Sequence, residues 1–339
     1  MRNKLPSVGR EKASRTRSPL SIAVLAAGAS LAAAALYIQW SARRAERNNP
    51  PTGKFVTLNG IRLHYIDTGG PRPAVVLLHG NASMAKEWEI SGIVGELAGR
   101  FRVLAFDRPG FGYSDRPRSH SWTPIAQADL LHAALRQLGI GEAIVFGHSW
   151  GTLVALELAL RHSDFVKGLL LVGGFYLPDR RLDVALLSLA VLPVIGNLLS
   201  LTISPLVARA LATKVIAKSF APRPVSRRFL EEFPVDFAIR PAPLRAGAED
   251  LAMIMSAAAA LQGRYAAVRQ PTIIIAGESD RIVDVSRQSV LLHDAIPNSE
   301  LYLLPNDGHM VHHHAPLTIL QAMDRLAERS RAQGFALGR

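Results

Sequence analysis

Ser149 lies in Gly147-His148-Ser149-Trp150-Gly151, directly after the apolar run Ala143-Ile144-Val145-Phe146 and directly before a helix-like stretch at 152–160. A G-x-S-x-G pattern between a buried strand and a helix forces its central residue into a tight, strained turn that lifts the side chain above the end of a sheet. Glycine on either side lets the helix backbone pass close to the strand, and the N–H groups at the helix start face any negative charge developing near the serine. Elsewhere the same five residues make an ordinary loop, so the rest of the chain must supply the chemistry. A serine hydroxyl becomes a useful nucleophile only when a base takes its proton, an acid orients that base, and donors receive an oxyanion.

Those groups occur in the order nucleophile, acid, base. The run Thr272-Ile273-Ile274-Ile275-Ala276 reads as a buried strand leading into Gly277-Glu278-Ser279-Asp280, which puts Asp280 on a loop at a strand end. A second strand over 300–304 leads through Pro305-Asn306-Asp307-Gly308 to His309, the candidate base. Upstream, the strand 74–78 runs into His79-Gly80-Asn81, and the backbone N–H groups of Asn81 and Trp150 are placed to form an oxyanion hole. Each assignment has a rival. Asp284 is a turn further from the strand end than Asp280, and Asp307 beside Gly308 is a turn former. His312, His313 and His314 could suggest zinc, but the sequence offers no carboxylate or second histidine group spaced to complete a site, so they read as a helix face. His79 and His148 read as structural neighbours of the hole and the turn. Asp107 reads as a turn cap.

With Asp107-Arg108-Pro109-Gly110-Phe111-Gly112-Tyr113-Ser114 added after the fourth strand, the chain resembles the α/β-hydrolase family over roughly residues 55–330. The resemblance implies Ser149 as nucleophile, Asp280 as acid and His309 as base, with the amides of Asn81 and Trp150 as the hole. It implies neither a cofactor nor a metal.

The elements agree with that placement. A hairpin is expected over 54–58 and 61–67 around Asn59-Gly60, a strong turn signal. Strands then alternate with helices: strands near 74–78, 102–106, 143–147, 167–172, 271–276 and 300–304, and helices near 88–99, 123–138, 150–162, 248–267, 286–294 and 315–332. This alternation predicts a mostly parallel eight-stranded sheet covered by helices on both faces, with ligands at the carboxyl ends of its strands. Between about 175 and 246 the alternation stops, where the family carries a helical lid. No charge occurs from Val184 through Ala208, which suits lid helices roofing an apolar pocket, with an outer face able to touch lipid. A second membrane span is the rival, but Pro193, Gly196, Asn197 and Pro205 break the run.

The charge balance has a local origin. The net charge is +12, but residues 1–54 hold ten Lys or Arg against two Glu, so the basicity belongs to the N-terminus and does not point to nucleic acid. Cysteine is absent, which excludes disulfide and thiol chemistry. A basic segment at 1–17 precedes an uncharged run at 18–42 that is long enough to cross the ~30 Å hydrocarbon core as a helix. A polar linker at 43–54 should join it to a catalytic domain at 55–334. Tyr37 and Trp40 suit a membrane interface. An uncleaved anchor, a cleaved signal and a surface helix all fit, and the length of the run favours the anchor. The larger positive charge ahead of the helix puts the domain on the non-cytoplasmic side.

The residue types also discriminate among reactions. Haloalkane dehalogenases share a His-Gly-Asn and a Trp after the nucleophile, but their nucleophile is aspartate, which Ser149 replaces here. Serine with histidine and aspartate suits an acyl-enzyme path on carboxylic esters, with a small apolar ester or lipid-like substrate. Cofactor-free haloperoxidases and carbon–carbon bond hydrolases share the same triad, and a silent membrane-tethered binding protein is the non-enzymatic alternative. The sequence carries no signal for oligomeric state.

Overall fold

The computed structural model describes residues 19–70, 73–179 and 199–336. Eight strands form one sheet in the spatial order β1-β2-β4-β3-β5-β6-β7-β8. β1 (Lys54–Leu58) and β2 (Ile61–Asp67) make the expected hairpin, with Asn59 and Gly60 both at positive φ in the turn. β2 runs antiparallel to both its neighbours, and every later pairing is parallel. β3 (Ala74–Leu78), β4 (Arg102–Phe106), β5 (Ala143–His148), β6 (Val166–Val172) and β7 (Thr272–Gly277) are almost wholly buried, as strands covered on both faces must be. β8 (Ser299–Leu304) closes one edge and is only half buried.

The two-residue period of the strands divides the core. Val76, Leu78 and Val145 point to one face and pack on Leu131 and Leu135 of α4 (Pro124–Gln137), on Leu153 and Val154 of α5 (Gly151–Arg161) and on Ile254 of a helix after the insertion. Val75, Leu77, Ile144 and Phe146 point to the other face. There they meet Trp88 of α2 (Lys86–Ile90), Leu97 of α3 (Ile93–Ala98) and Met323 and Leu326 of the C-terminal helix. One helix expected over 88–99 is therefore two short ones, divided at Gly92, whose φ of +86 no helix accommodates.

Part of the apolar insertion, including the run from Leu186 to Leu192, lies outside the described residues. Its described remainder is helical: α6 (Ser204–Phe220), α7 (Arg227–Glu232), α8 (Val235–Ala238) and the first turns of α9 (Pro241–Gln262). α9 begins earlier than expected because Pro241 opens it at a first-turn position, where a missing N–H costs nothing. After β7 come α10 (Leu291–Ala295), then β8, α11 (Val311–His314) and α12 (Pro316–Ala336).

The N-terminal helix α1 (Pro19–Asn48) is long and apolar enough to cross a membrane, with 6% of its apolar window buried. It does not give way to a linker at residue 43. Arg43 to Arg47 are good helix formers, and the final turns dock on the domain. Ala45 joins Met84, Phe237 and Ala238 in a small core, Glu46 pairs with Arg240, and Tyr113 donates its hydroxyl to the Asn49 carbonyl. Pro50-Pro51 then ends the helix.

Candidate functional site

The turn around Ser149 is built by close backbone approach. Ser149 adopts φ +53, a left-handed conformation costly for a residue with a side chain, and its N–H donates to the Val172 carbonyl on β6 at 2.9 Å. A Cβ on Gly147 would lie 2.7 Å from the Gly151 carbonyl oxygen, and one on Gly151 would strike the Leu78 carbonyl on β3. Strand β5 and helix α5 can meet at this angle only with glycine in both places. Ser149 is half-buried, with its side chain beside Gly80, where an added Cβ would sit 2.9 Å from the Ser149 Cβ.

His309 reaches the same place from the loop after β8. Its ring lies over Gly173, the residue after Val172, and packs at a tilt, 4.9 Å between centroids, against the ring of His148, the neighbour of Ser149. His309 Nδ1 donates to Asp280 Oδ2 at 2.8 Å, and both side chains are nearly sealed from solvent. The other oxygen, Asp280 Oδ1, accepts the backbone N–H groups of Ile282 at 2.7 Å and Val283 at 3.0 Å, so the carboxylate is oriented from behind. The two rival aspartates are elsewhere. Asp284 is exposed and caps Ser286 and Arg287, whereas Asp307 pairs with Arg223 at 2.7 Å. Among the described residues the Ser149 hydroxyl has no hydrogen bond to His309; such bonds are commonly long before substrate binds.

The amides of Asn81 and Trp150 complete the arrangement. Neither N–H is spent on another protein group among the described residues, which leaves both donors open at the mouth of the turn. The Asn81 side chain faces away, donating to the Gly247 carbonyl at 3.0 Å and accepting from the Ala82 N–H at 2.8 Å. Beneath this loop His79 is fully engaged: Nδ1–H donates to the Gly80 carbonyl at 2.7 Å, and Nε2 accepts from the Arg108 N–H at 3.0 Å. Burial, reinforced by the Arg108 charge, pushes His79 down to about 3, so it is a neutral strut. His148 Nε2–H donates to the His309 carbonyl at 3.1 Å, and burial holds that ring neutral as well. Asp107 is a double cap, accepting Ala85 N–H on one oxygen and Tyr113 N–H and His64 on the other.

Two further groups have buried partners that no local pattern in the sequence signals. Arg108 is completely buried; its guanidinium donates to the His79 and Gly80 carbonyls at 2.8 and 3.1 Å and to Asp250 of α9 at 2.7 Å. It therefore turns the carbonyls of the loop inward toward itself, and the Asn81 N–H is left facing outward. The second is Glu87 of α2, which accepts from His312 Nε2 at 2.6 Å and His313 Nε2 at 2.7 Å. The expectation that no carboxylate accompanies these histidines is corrected here: Glu87 comes from a helix 225 residues away in sequence. Burial alone would raise Glu87, but the two histidines outweigh it and hold the carboxyl well below its usual range. The contacts are hydrogen bonds by length, since two ligands on one tetrahedral zinc stand about 3.3 Å apart.

A cavity of about 580 Å³ lined by Pro73, Ile144, Val166 and Gln270 opens at the amino ends of the strands, the wrong end of the sheet for ligands in this architecture. Ser149, Asp280, His309, Asn81 and Trp150 all gather at the carboxyl ends.

A doubly wound sheet with a sharp strand–turn–helix serine at its carboxyl edge defines a class of α/β protein. The chain belongs to the α/β-hydrolase family, whose family model, described as the alpha/beta hydrolase fold, matches residues 73–316. It is 30% identical over 269 residues to a 2-hydroxymuconate semialdehyde hydrolase of Pseudomonas sp. (strain CF600), covering 78% of this chain and 90% of the relative. Among solved structures, the enol-lactonase from Burkholderia xenovorans LB400 superposes with TM-score 0.65 at 21% identity, covering 81% of this chain and all of that one. A membrane phospholipase A superposes with TM-score 0.64 at 22% identity, covering 92% and 97%. At such identities the two structures speak for the fold alone.

Proposed function

We propose that the protein is a serine hydrolase of carboxylic esters with apolar acyl or alcohol groups. The observation that carries this reading is the Asp280–His309 pair standing at the same strand ends as the strained Ser149 turn. His309 Nε2 takes the Ser149 proton as Oγ attacks the ester carbonyl, while Asp280 holds Nδ1–H and stabilises the imidazolium. The N–H groups of Asn81 and Trp150 receive the oxyanion. His309 then gives its proton to the departing alcohol, leaving an acyl serine, and a water activated by the same histidine releases the acid. The described helices of the insertion, α6, α7, α8 and the first turns of α9, act as a lid that sets the preference for apolar groups.

Hydrolysis of a carbon–carbon bond beside a ketone is the second reading, favoured by the 2-hydroxymuconate semialdehyde hydrolase relative. Purified protein should be assayed on p-nitrophenyl esters from acetyl to octanoyl and, in parallel, on a dienone substrate of the carbon–carbon hydrolases. Ester turnover that rises beyond acetyl with no dienone cleavage supports the esterase reading. Dienone cleavage exceeding ester hydrolysis would replace it.

The N-terminal helix is read as a retained anchor, with the domain on the non-cytoplasmic side. Support comes from its last turns: a signal cleaved near Ser41 would cut through a helix whose Ile38, Ala45 and Glu46 are built into the domain.

A further inference from the structure

α6 is a 17-residue helix in which only Pro205 and Phe220 are buried, although its sequence is mostly aliphatic. Leu206, Val207, Leu211 and Val215 are each more than 40% exposed, and Ile203 just ahead of the helix extends the row. Ile203, Val207, Leu211 and Val215 recur every four residues and so share one side. Among the described residues nothing covers this apolar side. α6 contains no acidic residue; Arg209 is paired with Asp236, while Lys214 and Lys218 lie on the exposed side without an ion pair among the described residues.

The position of this helix bears on what would cover it. Its start stands against α1: Pro205, Leu206 and Arg209 wall one small cleft together with Tyr37, Ile38 and Ser41. Tyr37 and Trp40 follow the apolar half of α1 and are half exposed, the level at which amphipathic rings settle between hydrocarbon and water. The apolar row of α6 therefore begins at the height where α1 would leave the bilayer. The far end of α6 is about 25 Å away at 1.5 Å per residue. There Phe220 packs on the rings of His313 and His314, and the Ala221 carbonyl abuts Gly308, the residue before His309.

We propose that α6 lies in the headgroup region of the membrane that holds α1, with Ile203, Val207, Leu211 and Val215 turned into the lipid and Lys214 and Lys218 reaching lipid phosphates. The helix then joins the anchor to the His309 loop along the membrane surface. Apolar esters would enter from the lipid, not from water. This rests on the reading of α1 as a membrane helix, which the test separates from the proposal itself.

The protein has no cysteine, so single-cysteine variants are clean probes. Full-length Val207→Cys and Leu211→Cys, labelled with an environment-sensitive dye, would be reconstituted at one copy per nanodisc with lipids brominated on the acyl chains. Glu142→Cys, at the opposite end of the sheet, is the control. Loss of fluorescence at 207 and 211 with none at 142 is expected. Incorporation with 207 and 211 no more quenched than 142 would overturn the proposal while leaving the anchor intact, as would quenching only when two copies share a disc, which indicates a dimer face. Protein that fails to float with lipid vesicles would overturn both. The double variant Val207→Glu with Leu211→Glu should keep its turnover of a soluble short-chain ester and lose about tenfold or more on an ester dissolved in vesicles. Equal loss on both substrates would count against lipid contact.

Discussion

Replacing Asp280 by Asn tests the geometry of the proposed site most finely, because the two side chains have the same shape and differ in where they can donate. In Asp280→Asn the amide oxygen can keep the two backbone bonds, from Ile282 at 2.7 Å and Val283 at 3.0 Å. The NH₂ group must then face His309 Nδ1, 2.8 Å from the present carboxylate oxygen. A donor there forces Nδ1 to accept and moves the ring proton to Nε2, the nitrogen that must be free to take the Ser149 proton. The fold should lose little, since both backbone bonds survive. The rate should fall by about 10⁴, equivalent to about 5.5 kcal/mol at 1.36 kcal/mol per tenfold. The assay is kcat on p-nitrophenyl butyrate with thermal melting alongside, and Asp284→Asn serves as the matched control on an exposed turn. Activity within tenfold of the parent, or a larger loss in Asp284→Asn, would refute the reasoning.

The remaining expectations follow from the same contacts. Asp250→Ala should destabilise the domain by about 3–5 kcal/mol, because it leaves Arg108 buried without its counter-charge; a denaturation midpoint close to the parent's would contradict the buried network. Stability should fall on mild acidification: His79 and His148 are held neutral by burial, with folded pKa values below the unfolded value of about 6.5. Their contribution is complete above that value and is lost as pH falls toward the folded values. The unfolding free energy from urea titration should therefore drop between pH 6.5 and 4, by up to about 1.4 kcal/mol per pH unit for each histidine, and a flat profile would count against neutral struts. Removing residues 1–36 should leave a domain that melts well above one lacking residues 1–52, since only the shorter deletion keeps Ala45 and the Glu46–Arg240 pair. Equal melting temperatures would show that the docked turns contribute nothing.

What the sequence disclosed and what it hid follow from distance along the chain. The Ser149 turn, the strand ends carrying Asp280 and His309, and the pairing of His309 with Asp280 and not with Asp284 or Asp307 all follow from local patterns: an apolar run and the glycine-containing loop that leaves its end. The hairpin at Asn59-Gly60 was legible for the same reason, since two residues determine its turn. Arg108 with Asp250, and Glu87 with His312 and His313, were not legible. Each joins residues more than 140 positions apart, and a buried ion pair leaves no periodicity in either partner's neighbourhood. The end of α1 lies beyond the expected residue 42 because its last turns, from Arg43 to Asn48, are polar except for Ala45, and docking on Phe237 and Arg240 supports them where no apolar period does.

The central claim is that Ser149 is an activated nucleophile, and covalent capture tests it most directly. Intact protein would be treated with a fluorophosphonate, digested and mapped by mass spectrometry. The account predicts a single adduct on Ser149, formed at a rate that falls when a slowly turned-over apolar ester competes and abolished in His309→Ala. An unmodified Ser149 in folded protein, or equal labelling of other serines, would contradict it.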